Sequence, residues 1–300
     1  MLMIDAVIAP LTQLLADVGE LKRIRAADEH GSLAERGFLR AWGALVSGTD
    51  PAAVALHETA RALAATRLSA VDAGVLCAGG MPACSAAVVL QRAVREVADD
   101  ARLARADAFA EAVGACLAAD DPPPFAVVLC RQPRAGATAS GRPRLVIEPA
   151  ESHGDHCFVV AVYAVLLAPL HDAEPGACFL AGLAHHLHNV GLPDAGFAGE
   201  ATLGAHLDGL MAAFREQALA QLDLPLRERA RAAASHALEI ETSEGRAVVA
   251  ADVLDRVLQM QHFQRTATFT LDEALDELEL VHAGPLQAYG NATLKAAGLR

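Results

Sequence analysis

The histidines are the residues best suited to chemistry in this sequence, and they are unevenly distributed. All but two of the 12 histidines follow residue 150, and the segment LAHHLHN at residues 183–189 alone contributes His185, His186 and His188. Neutral imidazole is the commonest ligand of transition metals in proteins, and several imidazoles with one or two carboxylates suit Mn, Fe, Co, Ni or Zn. We therefore expect a metal site in the C-terminal half of the chain.

Several segments with an apolar helical pattern each offer one or two candidate ligands. They are ESHGDHCFVVAVYAVLLA with His156, AGLAHHLHNVG with His185 and His186, LGAHLDGL with His206, RAAASHALEI with His236, and VVAADVLDRVLQ with Asp252. An ionised aspartate within an apolar run is costly to bury unless it is paired or bound to a metal. Helical proteins commonly build metal sites from side chains that converge from several helices in the core. We expect that arrangement here.

Three of these segments resemble, in order along the chain, the motifs of the HD-domain phosphohydrolases. ESHGDH resembles the ES-x-x-[DE]-H opening of the branch that removes phosphate from deoxynucleoside monophosphates. LAHHLHN takes the place of that superfamily's LLHDxxx, and AADVLDRVL resembles its final xADxLxxxL helix. The resemblance covers roughly residues 140–265. It implies a divalent transition metal, one of Mn, Fe, Co, Ni and Zn, held by His156, His185, His186 and Asp252.

Two positions depart from the family pattern. The aspartate of the HD doublet is replaced by His186, and a neutral imidazole cannot bridge two ions as a carboxylate does. The phosphatase branch has a glutamate shortly afterwards, where this chain has Asn189, which cannot act as an acid or a base. The resemblance therefore leaves the catalytic group open, with His206, His236 and Glu200 as the candidates. Glu200, Asp194 or His188 could take the place of the missing glutamate, and His206 and His236 would form a second metal site, contact phosphate or donate protons.

Ligating histidines need an acceptor for their second ring nitrogen, which fixes the tautomer and the orientation of the ring. Asp155, Asp194 and Glu151 are the candidates for that role. We interpret Asp255 as a salt-bridged neighbour of Asp252, and His188 as a residue outside the ligand set that is solvent-exposed or lies behind the ligands.

The leading functional interpretation is a metal-dependent phosphohydrolase that acts on a small phosphorylated substrate such as a nucleotide. In such an enzyme the ion polarises a phosphoryl oxygen and lowers the pKa of a water molecule to about 7. Two alternatives remain open. One is an HD-fold di-iron oxygenase, against which the missing bridging aspartate counts. The other is a catalytically inactive, HD-like regulatory or protein-interaction module whose metal is structural.

Composition argues against several other classes of protein. A net charge of −13 disfavours a general nucleic-acid binder, which needs an excess of Lys and Arg to neutralise phosphates. No apolar run reaches the roughly 18 residues of a membrane span. Asp5 stands where a signal peptide requires positive charge, and the six cysteines form no CxxC pair. We therefore expect a cytoplasmic protein without a membrane partner.

The pattern of apolar residues predicts a mainly all-α fold in three regions. Residues 1–121 read as an N-terminal series of amphipathic helices, which could also form a homo-oligomer interface. Residues 122–150 read as a linker or a short β-hairpin near 125–149, with strands at FAVVLC (125–130) and RLVIEP (144–149). Residues 151–300 read as an HD-like helical domain. The linker also contains the most basic patch of the chain, interpreted as a solvated loop, at Arg131, Arg134, Arg142 and Arg144.

Overall fold

The structure is a computed structural model, and it describes residues 11–26, 30–115, 117–137, 144–145, 150–236, 239–264, 270–277, 280–281 and 283–300. Across these residues the regular elements are helices, and no β-strand is present. The predicted all-α fold is therefore confirmed.

Fourteen α-helices are seen in the described residues. In chain order they are α1 (Thr12–Gly19), α2 (Leu33–Val46), α3 (Pro51–Leu68), α4 (Ala73–Ala78), α5 (Ala83–Asp100), α6 (Ala106–Ala112), α7 (Pro124–Arg131), α8 (His153–Leu167), α9 (Pro175–Ala184), α10 (Gly196–Leu203), α11 (Leu207–Leu219), α12 (Leu224–His236), α13 (Ser243–Phe263) and α14 (Gln287–Ala296). Short turns of 3-10 helix lie at Glu20–Lys22, Ala168–Leu170, Leu187–Val190 and Gly204–His206, and a π-helical turn lies at Glu273–Glu277.

Helix α8 is the central element of the fold. Every one of its residues is buried, and it contacts α2, α3, α7, α9 and α13. By length and composition the segment His153–Leu170 could cross a membrane, but 89% of it is buried inside the protein. It is the one segment of the described chain that passes this test. Such burial is typical of the core helix of a soluble protein.

The helices before and after residue 150 share one hydrophobic core. Helix α2 packs on α8, and Gly37 leaves room for the ring of Phe158, which a Cβ atom at that position would meet. The indole of Trp42 packs edge-on against the ring of Phe125, with 4.9 Å between ring centroids. The N-terminal helices therefore form part of the scaffold of any site built on α8.

The start of α8 is fixed by a capping box. The Ser152 hydroxyl accepts from the backbone N–H of Asp155 at 3.1 Å, and the Asp155 carboxylate accepts from the backbone N–H of Ser152 at 3.1 Å. The hydroxyl of Ser32, itself the N-cap of α2, donates a further hydrogen bond to Asp155. Reciprocal capping of this kind satisfies backbone donors that the first helical turn leaves unpaired. It fixes the position of His156 in the first turn of α8.

The predicted β-hairpin near 125–149 is wrong in its first strand. FAVVLC (125–130) lies in α7, which begins at Pro124, a residue suited to the first helical position. Burial of one helical face against α2 and α8 overrides the β preference of the two valines; the buried residues of that face are Phe125, Ala126 and Leu129. Of the second predicted strand, residues 146–149 lie outside the described part of the chain. Leu145 forms an isolated antiparallel bridge with Ala137.

Helices α8 and α9 approach each other closely at Gly182. A Cβ atom at this position would lie 2.6 Å from the backbone nitrogen of Ala161 and closer still to its Cα atom. We therefore expect Gly182→Ala to force the two helices apart and to lower the free energy of unfolding by about 1–3 kcal/mol. Urea denaturation measures the change.

Gly209 provides the matched control for this substitution. It lies in α11, and no atom lies within 4 Å of the point that a Cβ atom would occupy, so Gly209→Ala should be neutral or stabilise by up to about 1 kcal/mol. A Gly182→Ala protein as stable as the wild type would contradict the close helix contact.

Candidate metal centre

Three packed helices bring the predicted ligands to one place. His156 lies in the first turn of α8, His185 directly follows α9, and Asp252 lies in the middle of α13. The prediction that His185 and His186 lie inside a helix is wrong, because α9 ends at Ala184 and the next turn is 3-10 helix. The bend after α9 directs both rings towards α8. The centroid of His156 lies 5.0 Å from that of His185 and 5.1 Å from that of His186.

The donor atoms of these residues converge. Nε2 of His156 lies 3.1 Å from Nε2 of His185 and 3.2 Å from Oδ1 of Asp252. One ring nitrogen from each of His156, His185 and His186 lies within 4.8 Å of the other two, so the group could hold a metal ion. The structure thus brings the three predicted histidine ligands into one group and places the fourth predicted ligand, Asp252, next to His156.

Two of the imidazoles use their Nδ1 atoms for bonds to protein acceptors. Nδ1 of His156 lies 2.7 Å from Oδ2 of Asp255, and Nδ1 of His185 lies 2.7 Å from the carbonyl oxygen of Gly182. Since a carboxylate and a carbonyl only accept, each Nδ1 carries a proton, and each ring has a lone pair on Nε2 whenever it is neutral. A bond from the second nitrogen to a carboxylate or carbonyl is the usual way in which proteins orient metal-binding histidines.

His186 is oriented in the same way by Asn189. Nδ1 of His186 lies 2.8 Å from Oδ1 of Asn189, whose Nδ2 donates to the carbonyl oxygen of Leu192 at 3.0 Å. The bond to Leu192 fixes the amide so that its oxygen faces the imidazole. His186 therefore donates from Nδ1 and also keeps Nε2 as a lone-pair donor. In the sequence Asn189 stood out only as a missing acid; its role as an acceptor becomes visible in the structure.

The close approach of the Nε2 atoms of His156 and His185 requires a cation between them. Two Nε2 lone pairs 3.1 Å apart repel each other unless a proton or a metal ion lies between them. Burial and the charge of His156 lower the pKa of His185 to about 3. Burial also lowers the pKa of His156, but hydrogen bonds to three surrounding carboxylates outweigh it and raise that pKa to about 9. Without metal, the proton between the two Nε2 atoms therefore resides on His156.

Asp252 supplies a negatively charged donor beside His156. Burial opposes its ionisation, but the Arg256 guanidinium at 2.8 Å and the hydrogen bond to His156 lower the pKa of Asp252 well below its ordinary value. The donor set therefore consists of three imidazoles and one ionised carboxylate. This set fits a first-row transition metal better than Mg²⁺ or Ca²⁺, which prefer oxygen ligands alone.

Behind His156 lies a buried ion-pair cluster that the sequence did not predict. Nζ of Lys22 is 2.7 Å from Oδ2 of Asp255 and 3.0 Å from Oε1 of Glu151. The two carboxylates and His156 form a second group with metal-ligand spacing, but the ammonium of Lys22 already supplies a cation to it. Asp255 bonds to His156 and Lys22, whereas the salt bridge of Asp252 is made by Arg256.

The other predicted acceptors have different partners. Asp155 is engaged by the N-terminus of α8, as described above. Asp194 accepts from the backbone N–H groups of Ala135 and Gly196 at 2.9 and 2.8 Å. Glu151 comes within 3.5 Å of Nδ1 of His156, farther than Asp255. Asp255 is therefore the principal acceptor for His156.

A cavity of about 350 Å³ opens over three of the four candidate ligands, His185, His186 and Asp252, whereas His156 lies buried beneath it. Its ionisable lining, besides His185, His186 and Asp252, consists of His188, Arg134, Arg215, Arg256, Glu151, Asp194 and Glu200. Apolar side chains form the remaining wall, among them Phe197, Met211, Met260 and Leu280. The cavity can thus receive a small anionic ligand with an apolar part.

The candidate catalytic residues are dispersed. Glu200 lines the cavity, where burial and the neighbouring Asp194 raise its pKa. His206 is exposed, and neither His206 nor His236 lines the cavity. Nδ1 of His236 lies 3.4 Å from the hydroxyl of Thr242 instead. His188 is buried at the cavity wall, so the expectation of a solvent-exposed ring is wrong.

Comparisons of the chain with models of protein families, with curated proteins and with solved structures found no match. The chemistry of the site must therefore be inferred from its own residues. The resemblance of three short segments to the HD-domain motifs remains an expectation.

Proposed function

We propose that this protein binds one divalent transition-metal ion through His156, His185, His186 and Asp252 and hydrolyses a small phosphoester beside it. The orientation of the imidazoles carries the proposal. All three rings bond to a protein acceptor through Nδ1, which leaves Nε2 for a metal, and one nitrogen of each ring lies within 4.8 Å of the other two. When bound, the ion supplies a Lewis acid for a phosphoryl oxygen and activates water at neutral pH.

The arginines of the cavity supply the expected contacts for a phosphate group. Arg134 and Arg256 are already close to carboxylates, at 3.8 Å from Glu151 and 2.8 Å from Asp252. Arg215 differs from them, since it makes no ion pair with another described residue. Its buried Nε, like that of Arg256, has no hydrogen-bond acceptor among those residues. A planar guanidinium can bind phosphate through two parallel hydrogen bonds. We assign Arg215 to the phosphate of the substrate.

Glu200 is the best-placed group for proton transfer. It faces the same cavity, and its raised pKa favours the protonated carboxyl. A protonated carboxyl can donate to the oxygen of the leaving group as the phosphorus–oxygen bond breaks. Glu200 could thereby serve in place of the acid that is missing at Asn189.

Metal analysis followed by a substrate screen tests the proposal. Elemental analysis of the purified protein should find one first-row transition metal per chain, and added Mn²⁺, Co²⁺ or Ni²⁺ should support release of phosphate from some member of a panel of nucleotides and other phosphate monoesters. A protein that binds no metal would refute both the metal site and the hydrolysis that depends on it. Stoichiometric metal without turnover of any phosphoester would instead favour the regulatory alternative.

Arg215→Gln tests the assignment of the phosphate contact. Loss of a charged hydrogen-bond pair costs about 1.5–3 kcal/mol, so kcat/KM should fall about 10- to 100-fold, with metal content unchanged. Steady-state kinetics on the best substrate of the screen measures the loss. The control is Arg229→Gln, which removes an exposed arginine of α12 that pairs with Asp50. An equal loss in both variants would contradict a specific contact at Arg215.

A further inference from the structure

Lys22 connects the N-terminal region to the candidate metal centre. It follows α1 in a 3-10 turn, and only 3% of its side chain is exposed. Its ammonium donates to Oδ2 of Asp255, the same oxygen that accepts the Nδ1 proton of His156. A continuous series of hydrogen bonds therefore runs from Lys22 through Asp255 to His156.

The two carboxylates beside Lys22 require a positive charge. Asp255 is buried and the side chain of Glu151 is only 7% exposed, and both lie within 3.0 Å of the same ammonium. Two carboxylates buried together repel each other and are costly to desolvate without a cation. In the absence of Lys22, Asp255 would have to turn towards solvent or take up a proton, and its bond to His156 would change in either case.

We propose that Lys22 is a positioning residue of the metal centre: it holds Asp255 in the orientation that presents Nε2 of His156 to the metal. The inference rests on the proposed metal site, but it does not depend on the reaction. It gives the N-terminal helices a role in function, because the residue that holds Asp255 reaches α8 and α13 from a segment before α2. Acceptors that orient a ligating histidine typically change metal affinity by about 10- to 100-fold when they are altered.

Lys22→Met tests the proposal through metal affinity and the optical spectrum of the Co²⁺-loaded protein. The dissociation constant for Co²⁺, measured by competition with a chelator, should rise about 10- to 100-fold. The visible d–d bands should shift, because the His156 ring is no longer held in place. The control is Arg40→Met, which breaks another ion pair to a buried carboxylate, at 2.9 Å from Glu58; the Arg40 side chain itself is 38% exposed, and neither residue lines the metal centre. It should lower stability and leave both metal readouts unchanged.

A double variant covers the case in which Lys22→Met does not fold. Removing Lys22 and the charge of Asp255 together leaves one buried carboxylate, Glu151, which keeps Arg134 at 3.8 Å. This is less destabilising than leaving both carboxylates without the ammonium. If Lys22 acts through Asp255, Co²⁺ affinity should be the same within about threefold in Asp255→Asn and in Lys22→Met/Asp255→Asn. A further tenfold loss in the double variant would overturn the proposal.

The controls separate this inference from the proposed function. A wild-type protein that binds no Co²⁺ refutes the metal site itself. A wild type that binds Co²⁺, together with a folded Lys22→Met protein of equal affinity and spectrum, refutes the role of Lys22 alone.

Discussion

Replacing His185 with alanine should abolish the metal binding proposed for this protein and leave its fold intact. Nε2 of His185 faces Nε2 of His156 at 3.1 Å, so the substitution removes one donor from the centre of the site. The loss should exceed the roughly 10- to 100-fold typical of residues that only orient a ligand. We therefore expect metal affinity to fall by more than about 100-fold and the purified variant to contain no stoichiometric metal. Metal content by elemental analysis and Co²⁺ affinity by chelator competition measure the effect.

His206→Ala is the appropriate control for this experiment. His206 is exposed in a 3-10 turn and does not line the cavity, so its removal should leave metal content unchanged. Circular dichroism should show the same helix content in both variants. Full metal occupancy in a folded His185→Ala protein would rule out the proposed ligand set.

Metal affinity should rise about tenfold for each pH unit between pH 6 and 8. Hydrogen bonds to carboxylates raise the pKa of His156 to about 9, so below that pH a metal must displace a proton from Nε2. Lower pH therefore weakens binding and higher pH strengthens it, and the dependence should level off as the pH passes the pKa of His156. The low pKa of His185, about 3, keeps that ring neutral throughout this range. The total gain from pH 6 to 8 is about 100-fold.

Calorimetry in buffers of different ionisation enthalpy provides an independent measurement. It should detect close to one proton released for each metal ion bound at pH 7. A His156→Ala variant cannot serve as the control for proton release, because it lacks one of the proposed ligands. The number of protons released by the wild type is therefore compared with the slope of its own affinity against pH. A pH-independent affinity with no proton release would contradict the protonated state assigned to His156.

The candidate ligands could be found from sequence because each one belongs to a local helical pattern. A dense histidine segment and an aspartate in an apolar run are visible without knowledge of the fold. The all-α class was likewise visible in the apolar periodicity. Helix α7 was missed because FAVVLC is short and rich in β-branched residues, and only its packing against α2 and α8 selects a helix.

The residues that orient the ligands could not be found in this way. Lys22 and Asp255 meet across 233 positions of sequence, and nothing local to Lys22 indicates a metal site. The acceptor for His185 is a backbone carbonyl, which carries no side-chain signature at all. Asp255 lies one helical turn after Asp252 and could have been suspected, but its partner depends on how α13 packs against α8.

The bond between His186 and Asn189 has a consequence for how this site can change by mutation. An aspartate at position 186 would place its carboxylate against the amide oxygen of Asn189, which cannot turn round without losing its bond to Leu192. A glutamate at position 189 would still accept from Nδ1 of His186, as the carboxylate of Asp255 does for His156. An exchange of His186 for aspartate is therefore expected to be harmful while Asn189 is present, whereas Asn189→Glu alone keeps an acceptor for the imidazole. The two positions are epistatic, because the effect of the first exchange depends on the residue at position 189.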